Sequence, residues 1–241
     1  MIVPSFSPHR KSTCLAAGAF FCPVLLPLAA IAVTGPETGQ SAVITGTGHV
    51  VDGDTLDVGS IRVRLEGIDA PEIKQKCQTA TGDSWDCGTA AAALLRTLAD
   101  RKDLACDRTG TDRYRRTLAT CFEDGIDVSE AMVRAGLAWA FVKYSVEYVA
   151  VEAEAKAQKV GVWQGPAEAP WDYRHNEWQV AETAAPKGCA IKGNISANGH
   201  IYHMPWSPWY DKVKIDVARG ERWFCSEADA LAAGWRPAAP N

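Results

Sequence analysis

The sequence predicts an α+β protein built on a small closed β-barrel, and three observations support this prediction. Five segments rich in Val, Ile, Leu and Thr are separated by turn signals such as Asp52-Gly53 and Gly59-Ser60. Segments with apolar residues at helical spacing lie between and after these strands. A chain of 241 residues can bury one proper core and still form a small second module.

The predicted strands are similar in composition and are bounded by glycine and aspartate. In the third strand apolar and charged residues alternate, so Arg62, Arg64 and Glu66 lie on one face. A polar loop at 108–115 separates the last two strands. The predicted strands are Val43–Val51, Thr55–Val58, Ile61–Gly67, Lys102–Asp107 and Arg116–Phe122.

Three helices are predicted from apolar periodicity and from end signals. The first begins near Gly88. The second begins at the N-cap Asp127, because Glu130 follows three residues later as in a capping box, and it ends at Gly136. The third covers about Val146–Lys159.

The first 32 residues are predicted to be a signal peptide. Arg10 and Lys11 precede an apolar run, and Ala30-Ile31-Ala32 has the small-x-small pattern found before a signal-peptidase site. An uncleaved membrane anchor is the alternative, because the apolar run approaches spanning length. Two prolines within the run and the polar segment after it favour cleavage. We therefore expect a secreted or periplasmic protein without stable membrane association after cleavage.

The cysteine content agrees with export. Two of the eight cysteines lie in the predicted signal peptide, and an even number of the remaining cysteines is typical of a disulfide set. Their order along the chain suggests three bonds, although the sequence alone allows other pairings. A zinc site is the alternative, but no Cys-x-x-Cys pair occurs in the sequence. The predicted bonds are Cys77–Cys87, Cys106–Cys121 and Cys189–Cys225.

The charge of the chain argues against a protein that coats nucleic acid. The formal net charge is −4, and loss of Arg10 and Lys11 with the signal peptide lowers it by two, to −6. An acidic chain does not attract nucleic acid from a distance as a basic one does. An enzyme is less affected, because a bound cation and two arginines make the field at its site positive.

Three acidic residues at the ends of predicted strands are candidate metal ligands. Asp54 follows a turn after the first strand, and Asp69 and Glu72 follow the third strand. Calcium prefers carboxylate and carbonyl oxygens, whereas zinc usually recruits histidine or cysteine, and no histidine lies between Val51 and Arg174. We therefore expect calcium or another hard cation, although each acid taken alone could be an ordinary turn or loop residue.

Arg64 and Arg116 are candidate phosphate ligands, because a guanidinium donates two parallel hydrogen bonds to phosphate oxygens. Surface salt bridges are the alternative for both residues. Tyr114 and Tyr144 could stack on a base, with packing at the rim of the site as the alternative. Acids and arginines together predict a metal-dependent phosphodiesterase.

The sequence from about Gly46 to Trp163 resembles the staphylococcal nuclease family, whose fold is a five-stranded OB-fold β-barrel with three helices. The resemblance covers about half of the chain, and its motifs occur in the family's order. The matching segments are Val51–Thr55, Arg64, Ile68–Glu72, Thr111–Arg116, Met132–Ala138 and the closing helix through Gly161-Val162-Trp163.

The resemblance implies a calcium site. Asp54 and Asp69 match the family's calcium-binding aspartates. Ala70 takes the place of a residue that contributes only its backbone carbonyl. Glu72 matches the catalytic glutamate, which also lies at the metal.

The resemblance also implies residues that bind the substrate. Arg64 and Arg116 match the two catalytic arginines. Tyr114 and Tyr144 fall near positions that contact the substrate in relatives. Arg115 replaces a glycine that is common just before the second arginine, and we expect it to add a phosphate contact.

The activity implied by the resemblance is calcium-dependent hydrolysis of DNA and RNA, with little sequence specificity, a preference for single strands and 3′-phosphate products. A weak or inactive barrel that only binds nucleic acid is the alternative, but the complete set of acids and arginines favours an enzyme. A plain single-strand-binding OB protein, a third class, needs no ordered carboxylates. We expect a monomer.

The C-terminal part is predicted to be a small, cysteine-containing module whose tryptophans form a compact core. A metal site of Cys189, His203 and Cys225 is the alternative, although its spacing is not standard. The segment before this module has no clear period and is predicted to be a linker. The predicted division is a signal peptide at 1–32, a nuclease-like domain at 42–165, a linker at 166–187 and the module at 188–241.

Overall fold

The structure of the chain is a computed structural model that describes residues 42–112 and 116–238. The predicted signal peptide and the candidate residues Tyr114 and Arg115 lie outside the described residues. The strands of the N-terminal part are β1 (Val43–Val50), β2 (Thr55–Val58), β3 (Ile61–Leu65), β4 (Ile68–Asp69), β5 (Cys77–Gln78), β6 (Ser84–Trp85), β7 (Asp103–Thr111), β8 (Thr117–Glu123), β9 (Ile126–Asp127) and β10 (Trp139–Ala140).

Five of these strands form a closed barrel, as predicted. Strand β1 pairs antiparallel with β2 and β7, β2 pairs with β3, and β7 pairs with β8. A parallel pairing of β3 with β8 closes the barrel. Strand β7 continues into the predicted loop at 108–115, because a register shift between Arg108 and Gly110 lets its pairing with β8 extend to Thr111.

Three helices cover the barrel, close to the predicted positions: α1 (Cys87–Ala99), α2 (Val128–Arg134) and α3 (Val149–Gln158). Apolar side chains inside the barrel, such as Leu56 and Val63, form one core with Leu95 of α1 and Met132 of α2. The Asp127 side chain accepts a hydrogen bond from the Glu130 N–H at 3.0 Å, which confirms the predicted N-cap of α2.

Disulfide bonds join the three predicted cysteine pairs, Cys77–Cys87, Cys106–Cys121 and Cys189–Cys225. The first bond closes the loop that follows Glu72. The second links the paired strands β7 and β8. The third bond leaves no thiolate of Cys189 or Cys225 for the alternative metal site in the module.

The segment predicted to be a linker contains a regular helix, α4 (Pro170–Ala184). Its inward-facing side chains recur at helical spacing, but two of them, Arg174 and Glu177, are charged. These charges interrupt the apolar period that would have indicated a helix. Pro170, at the first helical position, is a start signal that the sequence does contain.

The C-terminal module is a four-stranded sheet with one helix. Ile191, Tyr202, Phe224 and Trp235 form its core, and Trp178 of α4 packs against that core. This arrangement agrees with the predicted tryptophan core only in part, because other tryptophans face a cavity described below. The elements are β11 (Ile191–Ser196), β12 (Gly199–His203), β13 (Arg222–Phe224), α5 (Glu227–Ala232) and β14 (Arg236–Pro237), with sheet order β13-β11-β12-β14.

Short 3-10 helices connect the larger elements, at Gly161–Gln164, Pro186–Gly188, Tyr210–Lys212 and Val217–Arg219. Within the described ranges, none of the helices combines the length and the apolar character that a membrane span requires.

The two oxygens of the Asp127 carboxylate have different partners, and this predicts the effect of two substitutions. The second oxygen accepts a hydrogen bond from the buried Tyr148 hydroxyl at 2.9 Å. Asp127→Ala removes the cap and leaves this hydroxyl without its acceptor, so we expect the free energy of unfolding to fall by about 2 kcal/mol. Asp127→Asn keeps an acceptor for the cap and should lose less. Urea unfolding measures both, and a loss below about 0.5 kcal/mol for alanine would contradict the prediction.

Candidate functional site

The candidate residues come from a turn and two strand ends on one side of the barrel. The turn between β1 and β2 is closed by the Asp54 N–H, which donates to the Asp52 carboxylate at 3.1 Å. A Cβ on Gly53 would lie 2.8 Å from the Ala70 Cβ, so glycine allows this turn to approach the end of β4. The turn therefore places Asp54 beside Ala70.

Asp54 is buried, and each of its carboxylate oxygens is bound. One oxygen accepts from the Ala70 N–H at 3.1 Å, and the other accepts from the Thr55 hydroxyl at 3.1 Å and from Arg64 Nη1. Burial alone would raise the pKa of Asp54. The Arg64 charge and the Ala70 N–H outweigh it, and the pKa lies below its ordinary value.

Arg64 joins the two candidate aspartates. Its position on β3 is opposite Thr55 on β2, which brings the guanidinium next to Asp54. Its second terminal nitrogen donates to Asp69 Oδ1 at 2.9 Å. Asp69 is completely buried on β4, where its backbone pairs with Trp139 of β10. The two carboxylates are therefore held around one guanidinium.

A third arginine, which the sequence analysis did not identify, lies on the other side of Asp69. Arg174 of α4 donates to both Asp69 oxygens, at 3.1 and 2.6 Å, and to Glu72 Oε1 at 2.8 Å. Its side chain is 22% exposed. Helix α4 thus places a cation against two of the three predicted metal ligands.

Glu72 is held by its backbone as well as by Arg174. Its N–H donates to the buried Gln75 side chain at 3.1 Å, and Gln75 Nε2 donates to the Glu168 carbonyl at 2.7 Å. A Cβ on Gly88 would lie 1.7 Å from the Glu72 carbonyl oxygen, so α1 can begin there only with glycine. Burial raises the pKa of Glu72 to about 7 despite the opposing charge of Arg174.

Arg116 and Tyr144 lie in the same cavity as Arg64 and Glu72. The cavity has a volume of about 630 Å³ and is lined by these four side chains among others. Arg116 Nε donates to Asp112 Oδ2 at 2.7 Å, which orients the guanidinium. Tyr144 is 63% exposed at the rim. The structure therefore brings together the predicted site residues that it describes.

Asp52 is a further acid at this site, although the sequence analysis treated it only as part of a turn. Its carboxylate lines the cavity and accepts the Asp54 N–H. Burial and the neighbouring Asp54 carboxylate raise the pKa of Asp52 to about 6. Its position two residues before Asp54 could have identified it from the sequence, because a turn aspartate so close to a candidate metal ligand adds negative charge to the site.

The chemistry of these side chains fits a hard cation. The carboxylates of Asp54, Asp69 and Glu72 and the Ala70 carbonyl are oxygen donors of the kind calcium prefers. Within residues 42–112 and 116–238, no group of three or more His, Cys, Asp or Glu side chains is arranged so that it could hold a metal ion. In the structure these carboxylates pair with arginines, Asp54 and Asp69 with Arg64 and Asp69 and Glu72 with Arg174.

Comparisons with known proteins agree with the geometry of the site. The family model described as staphylococcal nuclease homologue matches residues 62–165, and a model described as ArfC matches residues 177–237. The succinoglycan biosynthesis protein ExoI of Rhizobium meliloti is 34% identical over 147 residues, which cover 58% of this chain and 75% of that protein.

Two further relatives are named as nucleases. An uncharacterized endonuclease of Escherichia coli O157:H7 is 35% identical over 137 residues, covering 54% of this chain and 83% of that protein. The micrococcal nuclease of Shigella flexneri is 32% identical over 144 residues, covering 52% of this chain and 77% of that protein.

The ion pairs of Arg174 predict competition with a divalent cation. Arg174→Met leaves the buried carboxylate of Asp69 and the half-buried carboxylate of Glu72 without this partner, so a cation no longer has to displace it. We expect calcium to bind about tenfold more tightly or better. Calorimetric titration with calcium, or terbium luminescence, measures the affinity. Arg101→Met is the matched control, because the Arg101 side chain is 84% exposed and pairs with Asp100 rather than with Asp69 or Glu72. Equal or weaker binding by Arg174→Met would contradict this prediction.

The close approach of Gly88 to Glu72 predicts a second effect. Gly88→Ala forces the Glu72 backbone or the start of α1 to move, so we expect kcat for phosphodiester cleavage to fall about a hundredfold. Gly110→Ala is the control, since the nearest atom to its new Cβ would be Leu118 Cδ1 at 3.8 Å. Steady-state kinetics and a thermal melt separate a displaced Glu72 from unfolding. Unchanged kcat in folded Gly88→Ala would show that Glu72 does not depend on this contact.

Proposed function

The chain belongs to the staphylococcal nuclease family and is a phosphodiester hydrolase, and we propose that it is an exported, calcium-dependent endonuclease that cleaves DNA and RNA. One observation carries this proposal. Arg64 pairs with the buried carboxylates of Asp54 and Asp69, Arg174 links Asp69 to Glu72, and Arg116 lines the same cavity as Arg64 and Glu72. A binding module needs no such set.

The proposed site combines a metal with acidic ligands. Calcium, when bound by Asp54, Asp69, Glu72 and the Ala70 carbonyl, supplies positive charge that neutralises the growing negative charge on the phosphate. Glu72 orients a water molecule and accepts its proton. A general base must lie within reach of the water that it deprotonates, and Glu72 lines the cavity that would admit this water.

The two arginines hold the phosphate oxygens. Arg64 is oriented by Asp54 and Asp69, and Arg116 by Asp112, so neither has to find its position during the reaction. The water oxygen forms a bond to phosphorus, and the bond to the 5′ oxygen breaks. Arg116 stabilises the negative charge on this leaving oxygen, which takes up a proton from solvent water, and Glu72 releases the proton that it accepted to solvent. The products carry a 3′-phosphate and a 5′-hydroxyl.

The same site supports a preference for single strands with little sequence selectivity. The backbone is the target of the arginines, and backbone contacts carry no direct sequence information. Phe141 and Tyr144 lie at the cavity, with their rings edge to face at 5.0 Å. Bases that are not paired can stack on such rings.

Export is supported by the disulfides and by the N-terminal sequence. The three bonds lie in the loop after Glu72, between the barrel strands β7 and β8, and in the C-terminal module. Such bonds persist in oxidising compartments. We therefore propose that the mature chain acts in the periplasm or outside the cell.

A protein that binds nucleic acid without cleaving it is the second candidate. The ion pairs of Arg174 favour it, because a cation that belongs to the protein already neutralises Asp69 and Glu72. The two candidates differ in one respect, which is whether calcium produces cleavage.

Cleavage of single-stranded DNA by the mature chain, with calcium or with EGTA, tests the proposed function. We expect cleavage with calcium only, and a loss of about a hundredfold to ten-thousandfold in Glu72→Gln, because the base is removed. Glu154→Gln is the control, since this side chain is 56% exposed on α3. Tight binding of the strand without cleavage in the parent protein would instead establish the second candidate.

A further inference from the structure

The cavity that contains the candidate site has a second wall from the C-terminal module. Arg64, Glu72 and Arg116 line one side, and Met204, Trp206 and Trp209 line the cavity from the module. The staphylococcal nuclease model ends at residue 165. The second wall is therefore an addition to the family domain.

This wall is fixed to the nuclease-like domain near the site. Gln75 donates to the Glu168 carbonyl just before α4, and Arg174 of α4 pairs with Asp69 and Glu72. Lys74, next to Gln75, forms an ion pair with Asp211 of the module. Farther along α4, Trp178 packs against the module core.

The segment Met204–Trp209, which we name the Trp segment, is itself held in place. The Ser207 N–H donates to the Met204 carbonyl at 2.9 Å, and the Tyr210 N–H donates to the Ser207 carbonyl at 3.2 Å. The Tyr210 hydroxyl donates to the Ala190 carbonyl at 2.6 Å. A segment ordered in this way loses little conformational entropy when it binds a ligand.

Charge alone does not explain what this cavity binds. Its lining contains five basic side chains (Arg or Lys) and five acidic ones (Asp or Glu). The net charge of the chain is also negative. Aromatic rings bind bases by stacking, and this contact does not depend on the charge of the protein.

The size and polarity of the cavity favour a flexible single strand. Its volume of about 630 Å³ falls in the range of roughly 300–1,000 Å³ that suits compact ligands. A few unpaired nucleotides can enter such a space, whereas a duplex presents its phosphates on a rigid outer surface. Ser207 Oγ, which is buried and has no hydrogen-bond partner among the described residues, belongs to the same lining.

We propose that the Trp segment stacks on the bases of a single-stranded nucleic acid whose phosphate is held by Arg64 and Arg116. This proposal rests on the proposed function. It assigns a role to the C-terminal module, which is to bind the strand that the nuclease-like domain cleaves. Trp206 and Trp209 are then specificity residues that distinguish a strand from an isolated phosphodiester.

The test compares two substrates in the same enzyme. The first is a single-stranded oligodeoxynucleotide, and the second is a small p-nitrophenyl phosphodiester without further nucleotides. In Trp206→Ala and Trp209→Ala we expect kcat/KM for the oligonucleotide to fall about tenfold or more, mainly through KM. The value for the small diester should fall much less, so the ratio of the two values falls. Phenylalanine at either position keeps a ring and should retain most of the ratio.

Val217→Ala is the control, because Val217 belongs to the module, is 74% exposed and is not part of the cavity lining. An unchanged ratio in both alanine variants would overturn the proposal. So would equal losses on both substrates, because they would assign the tryptophans a structural role.

If the proposed function itself is wrong, the experiment gives a different result from failure of the Trp segment proposal. The parent protein would then cleave neither substrate. Quenching of tryptophan fluorescence by the oligonucleotide still tests the Trp segment in that case. Quenching that is lost in Trp206→Ala and Trp209→Ala would support it, and quenching that is unchanged would overturn it.

Discussion

The burial of Asp69 is the constraint on which the rest of the site depends. A completely buried carboxylate is costly unless cations and hydrogen bonds compensate its charge. Here Arg64 approaches it from the barrel and Arg174 approaches it from α4. The divalent cation that we propose for this site would meet the same demand for positive charge. Pairing with arginine and binding of a metal ion are therefore two alternative ways to compensate the buried negative charge of Asp69.

Strand pairing and close backbone contacts in the nuclease-like domain position the charged side chains around Asp69. Pairing of β2 with β3 sets Arg64 beside Asp54, and pairing of β4 with β10 fixes the backbone of Asp69. Gly53 and Gly88 then allow neighbouring backbone to approach, so that Asp54 and Glu72 meet the same centre. Each of these features depends on strand register or on a missing side chain, which explains how Asp54, before β2, comes close to Asp69 on β4 and to Glu72 in the loop that follows.

The sequence was sufficient to predict the parts of the site that depend on local patterns. The alternation in β3 placed Arg64 on a defined face, and the N-cap Asp127 located α2. Arg174 and Gln75 could not be predicted in this way, because their roles arise from contacts across more than 90 residues of sequence. Helix α4 was also missed, because its inward face carries Arg174, which pairs with the buried Asp69. A charged residue therefore stands at a position where an apolar residue would have indicated a helix.

The hydrogen bond from Gln75 to the Glu168 carbonyl has a consequence for where the nuclease-like domain ends. A boundary at residue 165 follows the family but removes the acceptor of the buried Gln75 amide, together with one of the two guanidiniums that pair with Asp69. In this chain the family domain is therefore not self-sufficient. The extension completes the contacts of the buried Gln75 and Asp69 side chains, so the nuclease-like part of this chain is expected to need the extension attached when it is produced for study.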